Sequence, residues 1–225
     1  MDLNNTHFLV TGATGALGSR IARRLVDAGA TVTASGRSED KLSELNLDGA
    51  HLVASDLAHP SAPAELLAEA KGHTGKLDGV VIASGIVAFG PAEEVDDDTV
   101  DDLLLLDLLA PLRLVRSALA EVESGGVVVS ISGVIAEKPV GGMAAYCAAK
   151  AGISAFVEAA RPEARRKKIR VMDVRPPHTE TGLSTRAIAG TAPKMPEGLD
   201  PDDVAARIVK AIVDDEKELA STDFS

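Results

Sequence analysis

The sequence predicts an α/β fold of one domain, in which a doubly wound parallel sheet carries helices on both faces. Apolar runs that suit buried strands alternate with amphipathic segments of helical period along the chain. The run at 79–83 (GVVIA) is continuously apolar, as expected of a central parallel strand covered on both faces. The 225 residues contain no repeat and no interior linker, so we expect a single domain over 1–225.

The first strand is predicted at 7–11 (HFLVT), where apolar residues run directly into a glycine-rich stretch. A helix follows, because Ile21, Leu25 and Val26 share one face at helical spacing. It ends near Gly29, where the chain turns back towards the sheet. Further strands are predicted at 31–35, 51–54, 79–83, 126–132 and 169–174.

The helices between these strands are predicted from apolar period and from their first residues. One helix covers 64–71 after a proline, and a longer one covers 97–119 with acids in its first turn. The helix at 143–167 contains Pro162, where we expect a kink or an early break. The last helix covers 201–217, with an aspartate cap and a proline in its first turn, and no seventh strand is predicted after it.

The composition argues against several classes of function. A net charge of −11 and an isoelectric point near 4.9 disfavour a nucleic-acid-binding surface and an anionic membrane surface. Cys147 is the only cysteine, which rules out an internal disulfide and favours a cytoplasmic protein. The five histidines show no metal-ligand spacing, so no metal site is predicted.

The strand, glycine loop and helix that open the chain predict a phosphate site. Gly12 permits a tight turn, Gly15 lets a phosphate approach closely, and Gly18 lets the helix pack on the strand. The N-terminus of the helix would then offer free N–H groups to the anion. This arrangement is typical of Rossmann-type folds that bind dinucleotides.

The tip of the second strand favours NADP(H) over NAD(H). An acid at this position would bond the ribose hydroxyls and repel a 2′-phosphate, but here Gly36, Arg37 and Ser38 follow the strand. Arginine can fork onto a phosphate and serine can donate to it. Alternatively, Arg37 pairs with Glu39 or Asp40 in a polar turn, and NAD(H) stays possible.

Tyr146 is the only tyrosine of the chain, and Lys150 follows it by four positions. On a helix the two side chains share one face, one turn apart. An ammonium beside a phenol favours the phenolate, which makes the phenol a better proton donor near neutral pH. The alternative is a half-buried tyrosine on an alanine-rich helix with a solvated lysine nearby.

Together these motifs resemble the short-chain dehydrogenase/reductase family over nearly the whole chain. The segment 11–18 (TGATGALG) is similar to its cofactor loop, Tyr146 and Lys150 to its Tyr-x-x-x-Lys pair, and 175–181 (RPPHTET) to its nicotinamide segment. Of the family's Asn-Asn-Ala-Gly motif only Gly85 keeps its residue type. The resemblance and the loop chemistry together predict these cofactor-binding residues: Gly12, Ala13, Thr14, Gly15, Leu17, Gly18, Gly36, Arg37, Ser38, Asp56, Leu57, Ala83, Ser84, Gly85, Tyr146, Lys150, Pro176, His178 and Thr181.

The resemblance also implies hydride transfer between the nicotinamide C4 and the carbon of a small or hydrophobic carbonyl or alcohol. Tyr146 would exchange a proton with the substrate oxygen, while Lys150 holds the nicotinamide ribose and lowers the pKa of the tyrosine. The family's serine at the end of the fifth strand is replaced by Gly133. Ser132 could substitute only if the strand has ended there, since adjacent strand residues face opposite ways. Loss of one such donor costs about 10²–10³ in rate.

The family's asparagine, which anchors a proton-relay water through its backbone carbonyl, falls at Asp107. Pro111 has no N–H, so the Asp107 carbonyl loses its helical partner and the helix should kink. A backbone carbonyl freed in this way could hold the relay water whatever side chain residue 107 carries. Alternatively, Asp107 is only a polar interruption in a leucine-rich helix.

The remaining expectations concern the substrate and the assembly. Residues 184–198 read as a mobile lid over the cofactor. Family members pair through the helices predicted at 97–119 and 143–167, which implies a homodimer or homotetramer. The expected ligand is a small-molecule carbonyl or alcohol. The rival interpretation is an NADP(H)-binding sensor or partner protein with weak or no activity, which the changes at Gly133 and Asp107 favour.

Overall fold

The computed structural model describes residues 1–224, which contain one seven-stranded parallel sheet. The strands are β1 His7–Thr11, β2 Thr31–Gly36, β3 His51–Ala54, β4 Gly79–Ile82, β5 Val127–Ile131, β6 Arg170–Val174 and β7 Glu218–Leu219. Their order is β3-β2-β1-β4-β5-β6-β7, and every neighbouring pair is parallel. The direction of winding reverses between β1 and β4, which makes the sheet doubly wound, as predicted.

Helices cover both faces of the sheet. Within residues 1–224 the α-helices are α1 Ala16–Asp27, α2 Glu39–Ser43, α3 Ala62–Thr74, α4 Asp97–Leu104, α5 Ala110–Glu121, α6 Ala144–Arg166 and α7 Pro201–Val213. Helices α1 and α7 pack together on one face, while α3, α5 and α6 lie on the other. None of these helices is long and apolar enough to cross a membrane.

Alternate residues of each strand enter two separate cores. Phe8 and Val10 point to the face covered by α1 and α7, where they meet Ile208. Leu9, between them, points to the other face and belongs to the cluster that contains Leu114. These side chains are fully buried, and each such burial contributes about 1.5–3 kcal/mol. The sheet is therefore a rigid platform for the loops at its edges.

The loops that carry the predicted motifs all leave the same edge of the sheet. Thr11 at the end of β1 pairs with Ile82 at the end of β4. Ile131 at the end of β5 pairs with Val174 at the end of β6. Because carboxyl ends of parallel strands share one edge, the glycine loop and the segments after β4, β5 and β6 gather there.

The long helix predicted at 97–119 is irregular in its middle. Between α4 and α5, residues Leu105–Leu109 form a π-helical segment in which the N–H of Ala110 donates to the carbonyl of Leu105. Pro111 follows directly and has no N–H to continue the α-helical pattern. The irregularity thus lies where the sequence predicts a kink, with Asp107 at its centre.

The structure contains a seventh strand, which corrects the prediction that none follows the last helix. Glu218–Leu219 pairs in parallel with Asp173–Val174, and the N–H of Arg175 donates to the carbonyl of Leu219. Leu219 is fully buried. Two residues are too few to show a strand pattern, so the neighbouring strand β6 determines this pairing.

The predicted end of the last helix is also wrong, and of the kink or early break predicted at Pro162 the break is not observed. Helix α7 ends at Val213, four residues early, because Asp215 adopts a left-handed φ of 57°. The N–H of Glu216 then donates back to the carbonyl of Ala211, which closes the helix. Helix α6 shows no early break, since it continues through Pro162 as far as Arg166.

Candidate active site

The glycine loop joins β1 to α1 and lies against the loop after β4. Gly12 has a φ of +65°, and a Cβ on it would lie 2.6 Å from the backbone nitrogen of Ser84. A Cβ on Gly18 would lie 2.2 Å from the carbonyl oxygen of Gly12. The first turn of α1 has no side-chain cap. Its N–H groups are therefore available to an anion such as a diphosphate.

Two cations lie near the tip of β2. Arg37 is exposed, and within residues 1–224 it makes no ion pair, so the predicted alternative of pairing with Glu39 or Asp40 is not observed. Ser38 caps α2, with its hydroxyl accepting from the N–H of Lys41 at 3.3 Å. Arg37 and Lys41 both line the same cavity, and Lys41 was not among the predicted residues.

One elongated cavity of about 570 Å³ runs along the carboxyl edge of the sheet. Most of the predicted cofactor residues line it: Gly12, Thr14, Gly15, Leu17, Gly36, Arg37, Asp56, Leu57, Ala83, Ser84, Gly85, Tyr146, Lys150, Pro176, His178 and Thr181. Three predicted residues lie behind its surface. Ala13 is fully buried, Gly18 packs under Gly12, and Ser38 caps α2, so these three support the cavity without lining it.

Tyr146 and Lys150 lie together on α6, and both line the cavity. The Lys150 Nζ is 5.8 Å from the centre of the Tyr146 ring. It is also 3.0 Å from Oδ1 of Asp107 and donates to the carbonyl of Ile131 at 3.3 Å. Lys150 is buried, not solvated as in the alternative interpretation of the pair. The ammonium is thus held by a carboxylate from the π-helical segment.

Asp107 is fully buried and lies behind the cavity, in contact with Lys150. Both of its carboxylate oxygens are 3.4 Å from the N–H of Ile86, which donates to them. A Cβ on Gly85 would lie 2.6 Å from Oδ1 of Asp107 and 3.2 Å from Nζ of Lys150, so the pair lies directly against the backbone after β4. Asp107 is therefore paired with Lys150, and its part in a reaction stays a prediction.

Burial raises the pKa of Tyr146, and the Asp107 carboxylate raises it further, whereas the charge of Lys150 lowers it. The net direction is upward, so the predicted lowering by Lys150 is outweighed. Burial also raises the pKa of Asp107 against the opposing effect of Lys150. Burial alone would lower the pKa of Lys150, but Asp107 and Tyr146 reverse this and raise it. The lysine therefore stays charged and the phenol stays protonated at neutral pH.

The hydroxyl of Ser132 does not face a substrate in this structure. Strand β5 ends at Ile131, as the predicted substitution for the missing serine requires. However, Ser132 is buried, and its hydroxyl donates to Oδ1 of Asp173 on β6 at 2.6 Å. Although Ser132 is part of the cavity lining, the structure does not support it as a replacement for a serine at Gly133.

Asp173 is a buried acid that the sequence analysis did not single out. Besides the bond from Ser132, it accepts from the hydroxyl of Ser154 at 2.6 Å and from Arg175 at 2.8 Å. A charge-bearing residue within the apolar strand 169–174 was the signal that could have revealed it. Asp173 fixes the segments after β5 and β6 to one another.

The lid predicted at 184–198 is docked on the loop after β4. The N–H of Ile188 donates to the carbonyl of Val87 at 2.9 Å, and the N–H of Phe89 donates to the carbonyl of Ala189 at 3.0 Å. A Cβ on Gly190 would lie 1.8 Å from the carbonyl oxygen of Phe89. Ser184, Arg186 and Met195 of this segment also line the cavity, and its role as a mobile lid stays a prediction.

Comparison with known proteins gives one consistent result. The family model described as "short chain dehydrogenase" matches residues 6–191. A 3beta-hydroxysteroid dehydrogenase of Mediterraneibacter gnavus is 32% identical over 86% of this chain and 74% of its own length. A "Dehydrogenase/reductase SDR family protein 7-like" of Anopheles gambiae is 29% identical over 96% of this chain and 75% of its own.

Solved structures agree with these sequence matches. A short-chain dehydrogenase from Streptomyces avermitilis superposes with a TM-score of 0.87 at 27% identity, covering 98% of this chain and 90% of that one. The shared part therefore includes nearly the whole chain. The likeness extends over the whole sheet and not only over its nucleotide-binding half.

Proposed function

The chain belongs to the short-chain dehydrogenase family, and from that premise we propose that it is an NADP(H)-dependent oxidoreductase of a small or hydrophobic carbonyl compound and the corresponding alcohol. One observation carries the proposal. Tyr146 and Lys150 share a face of α6 and line a cavity whose other end is the glycine loop. A proton donor and a cation thus lie in a groove that suits a dinucleotide.

The residues of the groove fit such a cofactor. Gly12 and Gly18 leave room that a Cβ would fill, and the uncapped start of α1 suits a diphosphate. When bound, the nicotinamide supplies a hydride to the substrate carbon or takes one from it. In this proposal Tyr146 exchanges the proton with the substrate oxygen. Two of the three N–H donors of Lys150 bind Asp107 and Ile131, which leaves one for a ribose hydroxyl.

The preference for NADP(H) rests on Arg37 and Lys41. Both are exposed cations beside the cavity, and neither is paired with an acid within residues 1–224. Since the whole protein carries a net charge of −11, a local pair of cations is what a 2′-phosphate would need. The exposed Asp56 lies on the next strand connection and suits the adenine side.

The substrate end of the cavity supports a hydrophobic carbonyl compound. Its lining around Tyr146 is mostly apolar and includes Val87, Phe89, Val134, Val140, Met143 and Met195. A charged group against these apolar side chains would lose its hydration, and the one arginine of this end, Arg186, already donates to the carbonyls of Gly182 and Thr181. The substrate that we propose is therefore neutral.

The proposal is tested by turnover. The protein is incubated with NADPH and a panel of neutral ketones, and the absorbance of the reduced nicotinamide is followed. We expect oxidation of NADPH that falls about 10²-fold or more in Tyr146→Phe, because general acid catalysis contributes about that much. The variant should still bind NADPH. Equal activity of the two proteins would refute the role of Tyr146.

A second candidate function is an NADP(H)-binding sensor or partner protein without redox activity. The replacement of the expected serine by Gly133 favours it, because the hydroxyl of the adjacent Ser132 is bound to Asp173. The same assay separates the two candidates. Tight NADPH binding measured by calorimetry, with no turnover of any ketone in the panel, would favour the sensor.

A further inference from the structure

The end of β5 offers no hydrogen-bond donor to a substrate oxygen. Gly133 has no side chain, and its N–H donates to the carbonyl of Val174 at 3.2 Å. The next N–H, of Val134, donates to the carbonyl of Pro176 at 2.9 Å. Gly133 lines the cavity with its backbone alone. The donor that would act opposite Tyr146 is therefore missing from both backbone and side chain.

The hydroxyl of Ser132, the residue before Gly133, is held by a buried carboxylate on β6. Ser132 donates to Asp173, whose carboxylate also accepts from Ser154 and Arg175, and Asp173 is fully buried. Turning the hydroxyl of Ser132 towards the cavity would remove a donor from a buried charge, which is unfavourable. Ser132 is therefore not available as a hydrogen-bond donor to the substrate oxygen.

In the segment after β6, the two polar side chains that follow Pro177 are also engaged. The hydroxyl of Thr179 donates to the carbonyl of Pro177 at 2.9 Å. The Nε2 of His178 faces a carboxylate oxygen of Glu180 at 3.3 Å. The charged groups that act on Tyr146 itself are Lys150 and Asp107, which are bound to one another.

We infer that this site acts on carbonyl groups that are already electron-poor, such as α-dicarbonyls and aryl ketones with electron-withdrawing substituents. The inference rests on the proposed function. A hydride, with its two electrons, adds to the carbonyl carbon, and the π electron pair moves to the oxygen, which takes the phenol proton of Tyr146. Solvent then restores that proton. With one donor in place of two, the developing charge on oxygen is stabilised less, at a cost of about 10²–10³ in rate.

An electron-poor substrate offsets this loss because its own substituents spread the charge that forms on the oxygen. The apolar lining is compatible with such compounds, since α-dicarbonyls and aryl ketones are neutral. An unactivated dialkyl ketone has no comparable means of stabilising the charge. The site should therefore discriminate between carbonyl compounds by their electronics more than by their shape.

The first test uses the native protein with NADPH and acetophenones that differ only in the para substituent, from methoxy to cyano. We expect kcat/KM to rise by about 10²-fold along this series, which approaches the contribution of the missing donor. Activity that stays within about tenfold along the series would overturn the inference while the proposed function stands. NADPH binding with no turnover of any ketone would overturn the proposed function itself.

The second test compares Gly133→Ser with Gly133→Ala. Both variants carry the same backbone strain, since Gly133 has a φ of +89°, and a Cβ there meets nothing closer than the Pro176 carbonyl at 4.0 Å. Only the serine adds a hydroxyl. Relative to the alanine variant, the serine variant should have a kcat/KM for the methoxy compound that is higher by about tenfold or more. The ratio of kcat/KM for the cyano compound to that for the methoxy compound should be smaller in the serine variant.

Equal kcat/KM values of the two variants on both ketones would show that a hydroxyl at residue 133 does not limit the reaction, and would overturn the inference. Circular dichroism and NADPH affinity serve as checks that both variants are folded. If neither variant folds, the para-substituted series on the native protein decides the question by itself.

Discussion

At the scale of single residues, burial and the opposing charges of Lys150 and Asp107 together set the direction in which the pKa of Tyr146 shifts. A lysine beside a phenol lowers the pKa of the phenol, which is the basis of the sequence prediction. Here the lysine charge is compensated by a carboxylate at 3.0 Å, and the phenol is also shielded from water. The distance between Tyr146 and Lys150 alone therefore does not decide the pKa.

This balance can be measured directly, because Tyr146 is the only tyrosine and tryptophan is absent. In an ultraviolet titration we expect the phenol of the native protein to ionise above its ordinary pKa, since burial and Asp107 raise it. Asp107→Asn should lower the midpoint, because it removes one negative charge and frees Lys150. Lys150→Met should raise it. An unchanged midpoint in Asp107→Asn would contradict this account, and circular dichroism at each pH excludes unfolding.

The predicted preference for NADP(H) over NAD(H) depends on Arg37. Reversing its charge in Arg37→Glu should weaken NADPH binding about ten- to a hundredfold, as expected for loss of a charge-assisted bond, and should affect NADH far less. Arg116→Glu reverses an exposed charge on α5 away from the cavity and is the control. Isothermal calorimetry with both cofactors gives the comparison. Equal losses for NADPH and NADH would refute the phosphate role.

At the scale of elements, the contact between the glycine loop and the exit of β4 sets the shape of the groove. Gly12 needs both a positive φ and the absence of a Cβ, since Ser84 is only 2.6 Å from where a Cβ would lie. Gly49 has a similar φ of +74° but nothing within 4 Å. An alanine at residue 49 would therefore cause backbone strain alone, whereas an alanine at residue 12 would cause the same strain and a steric clash.

We expect Gly49→Ala to lower the free energy of unfolding by about 1–2 kcal/mol through strain alone. Gly12→Ala should cost about 1–3 kcal/mol more, because the added methyl group forces the loop away from β4. NADPH affinity should fall in Gly12→Ala only. Urea denaturation and calorimetry measure the two effects. Similar losses of stability in both variants would mean that the close approach at Gly12 is unimportant.

At the scale of the whole molecule, one buried histidine links stability to pH. His7 lies at the start of β1, where its ring bonds Thr33 at 2.8 Å and the carbonyl of Lys76 at 3.0 Å. Burial lowers the pKa of His7, and His73 lowers it further, although the bond to the Lys76 carbonyl opposes this. The unfolded chain therefore takes up the proton at a higher pH than the folded protein.

Stability should accordingly fall as the pH drops below about 6.5, the ordinary pKa of histidine, by up to about 1.4 kcal/mol per pH unit until the folded pKa is reached. His7→Asn should make the free energy of unfolding less dependent on pH between about 7.5 and 5.5. His59→Asn removes an exposed histidine and is the control. The free energy comes from urea denaturation at each pH. An identical dependence in both variants would contradict the role of His7.

Assembly also belongs to this scale, and a homodimer or homotetramer stays our prediction. Leu109 lies on the helix through which pairing is expected and is 40% exposed. Leu109→Glu should shift the protein towards monomer in light scattering, because the charge would be buried in the interface. Val213→Glu, at a position equally exposed on α7, is the control. A monomeric native protein would contradict the prediction at once.

Local patterns in the sequence are sufficient to predict six of the seven strands, the glycine loop and the pairing of Tyr146 with Lys150 on one helix. Each depends on a period of a few residues or on a glycine whose backbone has a specific requirement. The prediction that the helix at 97–119 is irregular has the same local origin, since a proline lacks its N–H wherever it occurs.

Tertiary structure alone determines which polar side chains meet behind the groove. Ser132 and Asp173 are 41 residues apart along the chain, yet they bond because β5 and β6 are neighbours in the sheet. Asp107 and Lys150 form an ion pair between the π-helical segment and α6. Strand β7 forms by pairing with the edge of β6. Such contacts have no period in the sequence. They depend on the packing of distant elements, and here that packing decides which groups at the site are free to act.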